Sequence, residues 1–208
     1  MVSGSRTIDL RAKPPLAAPG MRIGLLGGSF NPAHEAHRHI TLAALKRLQL
    51  DQVWWLVTPG NPLKTPTGPS IEERVASAEA VARHPRIKVT DFEKGQGSPY
   101  TADTLRTLKR LYPETNFVWL MGADNMADIH RWKDWHAIFE TMPVAVFDRP
   151  GFRMKARAGK AAQVFARRFV DPSDAAGLAL MRPPAWTLVT LPLSSLSSTE
   201  IRENGSTD

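Results

Sequence analysis

Two histidines, His34 and His37, stand three residues apart just after a glycine pair, Gly27-Gly28, in the stretch "GLLGGSFNPAHEAH" at 24–37. On a helix that spacing puts both imidazoles on one face. Their N–H groups, whether the rings are charged or neutral, can donate to phosphate oxygens and stabilise charge that develops as a phosphoryl group is transferred. The turn Gly27-Gly28-Ser29-Phe30 ends an apolar run. Missing Cβ atoms there let the backbone approach a phosphate, and a following helix offers free N–H groups with a partial positive charge. The glycines fit neither G-x-x-x-x-G-K-[ST] nor G-x-G-x-x-G, so this is neither a P-loop nor a dinucleotide fingerprint. A helical metal pair is more often four residues apart and needs further ligands, which the neighbouring sequence lacks. Either histidine alone reads as structural; the pair beside a glycine turn reverses that preference, and His39 lies off the shared face.

A second constellation lies in "LSSTEIR" at 196–202. Ser198 and Arg202 are four residues apart, so one hydroxyl and one guanidinium can reach a single phosphate group, with Thr199 on the same turn. Ser197 with Glu200 three residues on is also a capping box, and capping does not compete with phosphate binding.

These residues need elements to position them. From residue 21 apolar runs alternate with amphipathic stretches. "MRIGLLGG", "QVWWLVTP", "RIKVTDFE", "NFVWLMG", "MPVAVFDRP" and "AWTLVTLP" read as strands. "HEAHRHITLAALKRL" reads as a helix with Ile40, Ala44, Leu45 and Leu48 on its apolar face. "SIEERVASAEAVARH" is a helix opened by the capping box Ser70–Glu73. "TADTLRTLKRLY", "DWHAIFE", "KARAGKAAQVFARRF" and the closing "STEIREN" complete the helices. The alternation predicts an α/β, Rossmann-like doubly wound fold, with a mostly parallel sheet and helices on both faces. Such a sheet binds ligands at the carboxyl ends of its strands, where the glycine–histidine turn falls. Trp54, Trp55 and Trp119 read as core, and Trp135 as packing. The expected organisation is a flexible leader at 1–20 followed by a single domain over 21–208.

The 208 residues are 42% hydrophobic, enough for one sizeable core. The absence of cysteine excludes disulfides, thiol catalysis and Cys-based zinc sites. No signal-like apolar segment opens the chain, and no window nears the roughly 18 apolar residues of a membrane span. The expected location is the cytoplasm, with no membrane partner. The net charge of +7 equals the seven basic residues between Arg149 and Arg168, a block with no acidic residue. Such a block is either a solvated face or a field that draws in an anionic substrate such as a nucleotide. No RNA- or DNA-binding signature accompanies it.

"GGSFNPAHEAH" resembles the G-G-x-F-D-P-x-H-x-G-H signature of the nucleotidylyltransferase superfamily, and "LSSTEIR" resembles its I-S-S-T-x-I-R motif, about 160 residues on. Within it, "SPYTADTLRTLKRL" at 98–111 and "FVWLMGADNMADIHRWKDWHAIFE" at 117–140 are similar to segments of the bacterial nicotinate mononucleotide adenylyltransferases. The resemblance covers about residues 21–203. It implies adenylyl transfer from ATP to nicotinate mononucleotide, with Mg²⁺ carried by the ATP phosphates and no protein-held metal. It assigns catalysis to His34, His37 and Arg202. ATP binding falls to Gly27, Gly28, Ser29, Phe30, His34, His37, Asp124, Ser198, Thr199 and Arg202, with Asp124 on the ribose. The acceptor falls to Tyr100, Thr101 and Trp132 around the pyridine ring and its carboxylate, and to Asn61 and Lys64 in the loop "TPGNPLKTP". A flat pyridinium suits an aromatic face, and a carboxylate suits hydroxyl and backbone donors. Asn31 stands where the family has aspartate and Ala36 where it has glycine, so the backbone at 36 needs no positive φ. Competing readings are transfer to another phosphate acceptor such as phosphopantetheine, a non-catalytic nucleotide sensor, and an RNA-binding protein using the basic block. Oligomeric state is not legible.

Overall fold

The computed structural model describes residues 14–59 and 68–191. Six strands, β1 (Arg22–Gly28), β2 (Gln52–Val57), β3 (Ile87–Thr90), β4 (Asn116–Gly122), β5 (Val144–Phe147) and β6 (Trp186–Val189), form one sheet. Every pairing is parallel and the order is β3-β2-β1-β4-β5-β6. The chain winds outward from β1 to β3, then crosses back to β4 on the other side of β1. That reversal opens a crevice at the carboxyl ends of β1 and β4, the binding place of doubly wound sheets.

The strands are apolar on both sides because both are covered. On β4, Phe117, Trp119 and Met121 join one core while Val118 and Leu120 join the other. The first core is closed by α3 (Thr101–Leu111), α4 (Ala123–Asp128), α5 (Trp135–Thr141), α6 (Arg153–Ala158) and α7 (Lys160–Val164). The second is closed by α1 (Glu35–Arg47), α2 (Ile71–Ala82) and a 3-10 segment, Pro172–Leu180. Ile40, Ala44, Leu45 and Leu48 are buried as the helical period requires. Ser70 Oγ accepts from the Glu73 N–H at 3.1 Å while Glu73 Oε2 accepts from the Ser70 N–H at 2.7 Å, the expected box. Trp54, Trp55, Trp119 and Trp135 are all buried. Among the described residues no helix is long and apolar enough to cross a membrane.

Three elements differ from expectation. The single helix expected over 155–169 is α6, α7 and a 3-10 turn, Ala166–Arg168. Gly159 breaks it with an extended backbone (φ −65°, ψ 158°), since glycine stabilises a helix interior poorly. The strand expected over 86–93 stops at Thr90, whose hydroxyl accepts from the Phe92 N–H at 3.1 Å and starts a 3-10 turn, Phe92–Gly95. After β4 the chain enters α4 at once, a helix not among those expected. The closing "STEIREN" helix lies outside the described residues. Residues of the leader that are described contact the α3–β4 connection: Tyr112 Oη donates to Pro15 O at 3.0 Å and the Gly20 N–H to Glu114 O at 2.9 Å.

Candidate active site

The glycine turn is fixed from both faces of the sheet. A Cβ at Gly27 would lie 2.4 Å from Trp119 Cη2, so one cause of this glycine is the indole that fills its side-chain position. Gly28 would meet the Phe30 ring at 3.4 Å. Phe30 turns the chain in the left-handed region (φ 46°) and drives its ring into the second core, stacked on Trp55 at 5.0 Å. That burial holds a conformation uncommon for a bulky residue. Trp55 Nε1 donates to Thr41 Oγ1, and Thr41 Oγ1 donates to His37 O, each at 2.8 Å. The first turn of α1 is thus tied to the sheet.

The two imidazoles come together, with ring centroids 3.9 Å apart, but not as neighbours on one helix face. His34 is the N-cap, with an extended backbone (φ −150°, ψ 168°), and His37 is the third residue of α1. The His34 N–H donates to His37 Nδ1 at 3.2 Å, so the N3 side chain reaches back over the helix start as in a capping box. This acceptor role leaves the proton of the neutral His37 ring on Nε2. Burial pushes His37 down to about 3, with His34 and Arg149 adding to the effect; burial and then Arg149 also lower His34. At neutral pH both rings are therefore uncharged N–H donors, and the positive charge of the site comes from Arg149. Ala36 is buried and helical, so the extra methyl relative to glycine is accommodated by packing.

Arg149 follows the end of β5 by two residues and belongs to the basic block, but sequence reasoning counted it only as charge. Its Nη1 lies 3.3 Å from Asp124 Oδ2, and Asp124 is the second residue of α4, just past β4. Gly122 makes the pairing fit: a Cβ there would be 2.2 Å from Asp124 Oδ1 and 3.1 Å from Arg149 Nε. Asp124 Oδ1 is buried without a hydrogen-bond partner among the described residues, which leaves an acceptor for a ligand hydroxyl.

Arg74 is a second residue missed. It shares the α2 stripe of Ala78 and Ala82 and is only 7% exposed. Its Nη1 donates to Ser29 O and Thr58 O, 2.7 Å each, joining the glycine turn to the end of β2. An arginine in phase with buried alanines was the available signal. Glu93, on the turn after β3, is buried near Thr104 of α3, and desolvation pushes its carboxyl up to about 7.

The aromatic group forms a separate cluster. Tyr100 is the N-cap of α3 and Thr101 its first residue. Ser98 Oγ donates to Asp103 Oδ2 at 2.6 Å. Trp132 is half-buried against the first core, and Lys133 Nζ sits 4.3 Å from the centroid of the Tyr100 ring. Arg106 Nη1 bridges Asp103 Oδ1 at 3.1 Å and Asp134 Oδ2 at 3.4 Å. The structure thus joins 98–103 to 132–134 and, separately, His34, His37, Asp124 and Arg149. Asn61, Lys64, Ser198, Thr199 and Arg202 lie outside the described residues. Among the described residues, no three His, Asp or Glu side chains are grouped as metal ligands.

Residues 25–204 match the family described as cytidylyltransferase-like. The chain is 51% identical, over 92% of its own length and 90% of the other's, to a Ruegeria pomeroyi protein named "probable nicotinate-nucleotide adenylyltransferase". It is 55% identical to a Methylorubrum extorquens protein of the same name, over 88% of this chain and 99% of that one. Among solved structures it is similar to the Plasmodium falciparum nicotinic acid mononucleotide adenylyltransferase complexed with NaAD. That match has TM-score 0.65 and 21% identity, and spans 88% of this chain and 83% of the other.

Proposed function

The chain belongs to the cytidylyltransferase-like family, and we propose from that premise how its residues carry out nicotinate-nucleotide adenylyl transfer. The enzyme transfers AMP from ATP to nicotinate mononucleotide, giving nicotinate adenine dinucleotide and pyrophosphate, a step in NAD biosynthesis. A phosphate oxygen of the mononucleotide forms a bond to the α-phosphorus of ATP. The bond from that phosphorus to the α,β-bridging oxygen breaks, and pyrophosphate leaves with its electron pair. A phosphate monoester is already ionised and nucleophilic at neutral pH, so no general base is needed. Positioning and charge stabilisation supply the catalysis.

In this reading the N–H groups of His37 and His34 donate to the α-phosphate and its neighbour, with Arg149 supplying the charge. The observation that carries it is the pair of neutral, mutually oriented imidazoles beside Arg149 at the carboxyl end of β1. Gly27, Gly28, Ser29 and Phe30 line the phosphate path. The unpartnered oxygen of Asp124 accepts from the ribose diol. Ser198, Thr199 and Arg202 hold the β,γ end and the departing pyrophosphate, while Asn61 and Lys64 border the acceptor. Tyr100, Thr101 and Trp132 take the pyridine ring. Mg²⁺ enters as part of the substrate, on the triphosphate. The absence of cysteine suits a reducing cytoplasm as the place of the reaction. ATP labelled at the α-phosphorus tests the reaction: the label must appear in a dinucleotide, whereas label in free AMP or an adenylylated protein contradicts direct transfer.

A further inference from the structure

We propose that Asp148 and Arg153 are the positioning pair that holds Arg149 on the reacting phosphate. The inference rests on the adenylyl-transfer reading, in which Arg149 supplies the charge, and adds the residues that keep it in place.

β5 ends at Phe147, and the next two side chains part. Strand alternation puts Val144 and Val146 in the first core and Ala145 and Phe147 in the second. Asp148 continues the first phase and Arg149 the second. Arg149 accordingly reaches across the space left by Gly122 to Asp124. Asp148 goes the other way: its side chain is only 6% exposed, and its Oδ2 lies 3.6 Å from Nη1 of Arg153, the first residue of α6. Its other oxygen is buried without a hydrogen-bond partner among the described residues. The Asp148 N–H donates to Val189 O at 3.0 Å, which fixes the residue beside β6.

Between the two members of the pair lies the turn 149–152. The Phe152 N–H donates to Arg149 O at 3.1 Å, and Gly151 takes the left-handed conformation (φ 76°) that allows so tight a turn. Asp148 and Arg153 flank this turn, so their attraction closes it from outside. Each carboxylate has its own guanidinium, Arg149 for Asp124 and Arg153 for Asp148. Arg153 is the one cation within ion-pair distance of Asp148 among the described residues, so losing it leaves a buried carboxylate uncompensated and the turn free to shift. The end of α6 also packs on α4, the helix that carries Asp124: a Cβ at Gly159 would lie 3.6 Å from Ala127 O. The same helix thus backs both partners of the Arg149–Asp124 contact.

The test measures kcat, and KM for Mg-ATP, at saturating nicotinate mononucleotide, with urea midpoints alongside. Arg153→Met is expected to lower kcat about five- to tenfold with KM within about twofold, because a displaced Arg149 is missed more in the transition state than in the ground state. Asp148→Asn is expected to act alike, and Arg153→Lys, which keeps the charge, to retain about half of kcat or more. In an Arg149→Met background, Arg153→Met is expected to change kcat by less than about twofold, since the group it positions is gone. An equal loss of kcat in both backgrounds overturns the inference, because the pair then acts on stability alone. A wild-type kcat in Arg153→Met, whatever its urea midpoint, overturns it too. A wild type that makes no dinucleotide overturns the adenylyl-transfer reading, and this inference with it.

Discussion

Substituting Gly27 by alanine separates two reasons for a glycine at the end of β1. The added Cβ would lie 2.4 Å from Trp119 Cη2, about 1 Å inside ordinary contact, with two further ring atoms at 3.3 and 3.4 Å. Gly27 is held in register opposite Leu56, and Trp119 is buried in the first core, so neither side yields freely. Overpacking of this kind costs roughly 1–3 kcal/mol, and the tight geometry puts Gly27→Ala near 2–3 kcal/mol. Urea unfolding followed by tryptophan fluorescence should show a lower midpoint with an unchanged slope. Trp119→Phe removes the clashing edge together with a buried Nε1–H that has no partner among the described residues. Combining the two should therefore recover about half or more of the loss, a coupling of about 1–2 kcal/mol. Adenylyl transfer should recover with stability, because the crowding lies on the Trp119 side of the strand. Full stability in Gly27→Ala, or a double variant as unstable as the single one, refutes the packing argument. A stable but inactive double variant would assign the glycine to phosphate approach instead.

Three further outcomes follow from the site. His37→Ala should lower kcat by roughly 100-fold at saturating substrates, the usual cost of removing one oriented donor to a developing charge; near-normal turnover contradicts its role. Arg74→Met removes both hydrogen bonds that tie Ser29 to Thr58 and should cost about 2–4 kcal/mol in urea unfolding, while a loss below about 1 kcal/mol shows that the buried guanidinium does not brace the turn. Glu93 and His37 give opposite pH dependences. Glu93, raised from 4.5 to about 7, holds a proton when folded that it loses when unfolded, so its contribution is full below pH 4.5 and is lost as pH rises through 7. His37, depressed from 6.5 to about 3, contributes above pH 6.5 and loses that contribution as pH falls toward 3. Between pH 4.5 and 6.5 the two slopes oppose. Glu93→Gln removes the first, so its stability relative to wild type should climb by roughly 3 kcal/mol from pH 4.5 to 8; a flat difference refutes the assignment.

What could be read in advance depended on whether the cause was local. The apolar run into Gly27-Gly28 and the Ser70–Glu73 box set their own geometry within a few residues, and they appear as expected. The break at Gly159 was also local, but the periodic alanines around it masked one poor helix former. His34 and His37 were correctly paired, yet the cap geometry places His34 ahead of the helix rather than on its face. Arg74 and Arg149 were not legible as site residues because what they touch is remote in sequence. Arg74 meets a carbonyl 45 residues away, and Arg149 meets Asp124 25 residues away. Gly122 likewise shows its reason only once Asp124 and Arg149 crowd the space of its Cβ. The sheet order was foreseeable in kind, since alternating strands and helices force parallel crossovers, while the exact helix count after β5 was not.

The most direct measurement is pyrophosphate release by the purified protein with Mg-ATP, comparing nicotinate mononucleotide, phosphopantetheine and glycerol 3-phosphate at equal concentration. Release should be rapid with nicotinate mononucleotide and at background with the others. Turnover with a different acceptor would contradict the pyridine assignment of Tyr100, Thr101 and Trp132, and ATP binding without release from any acceptor would contradict catalysis itself.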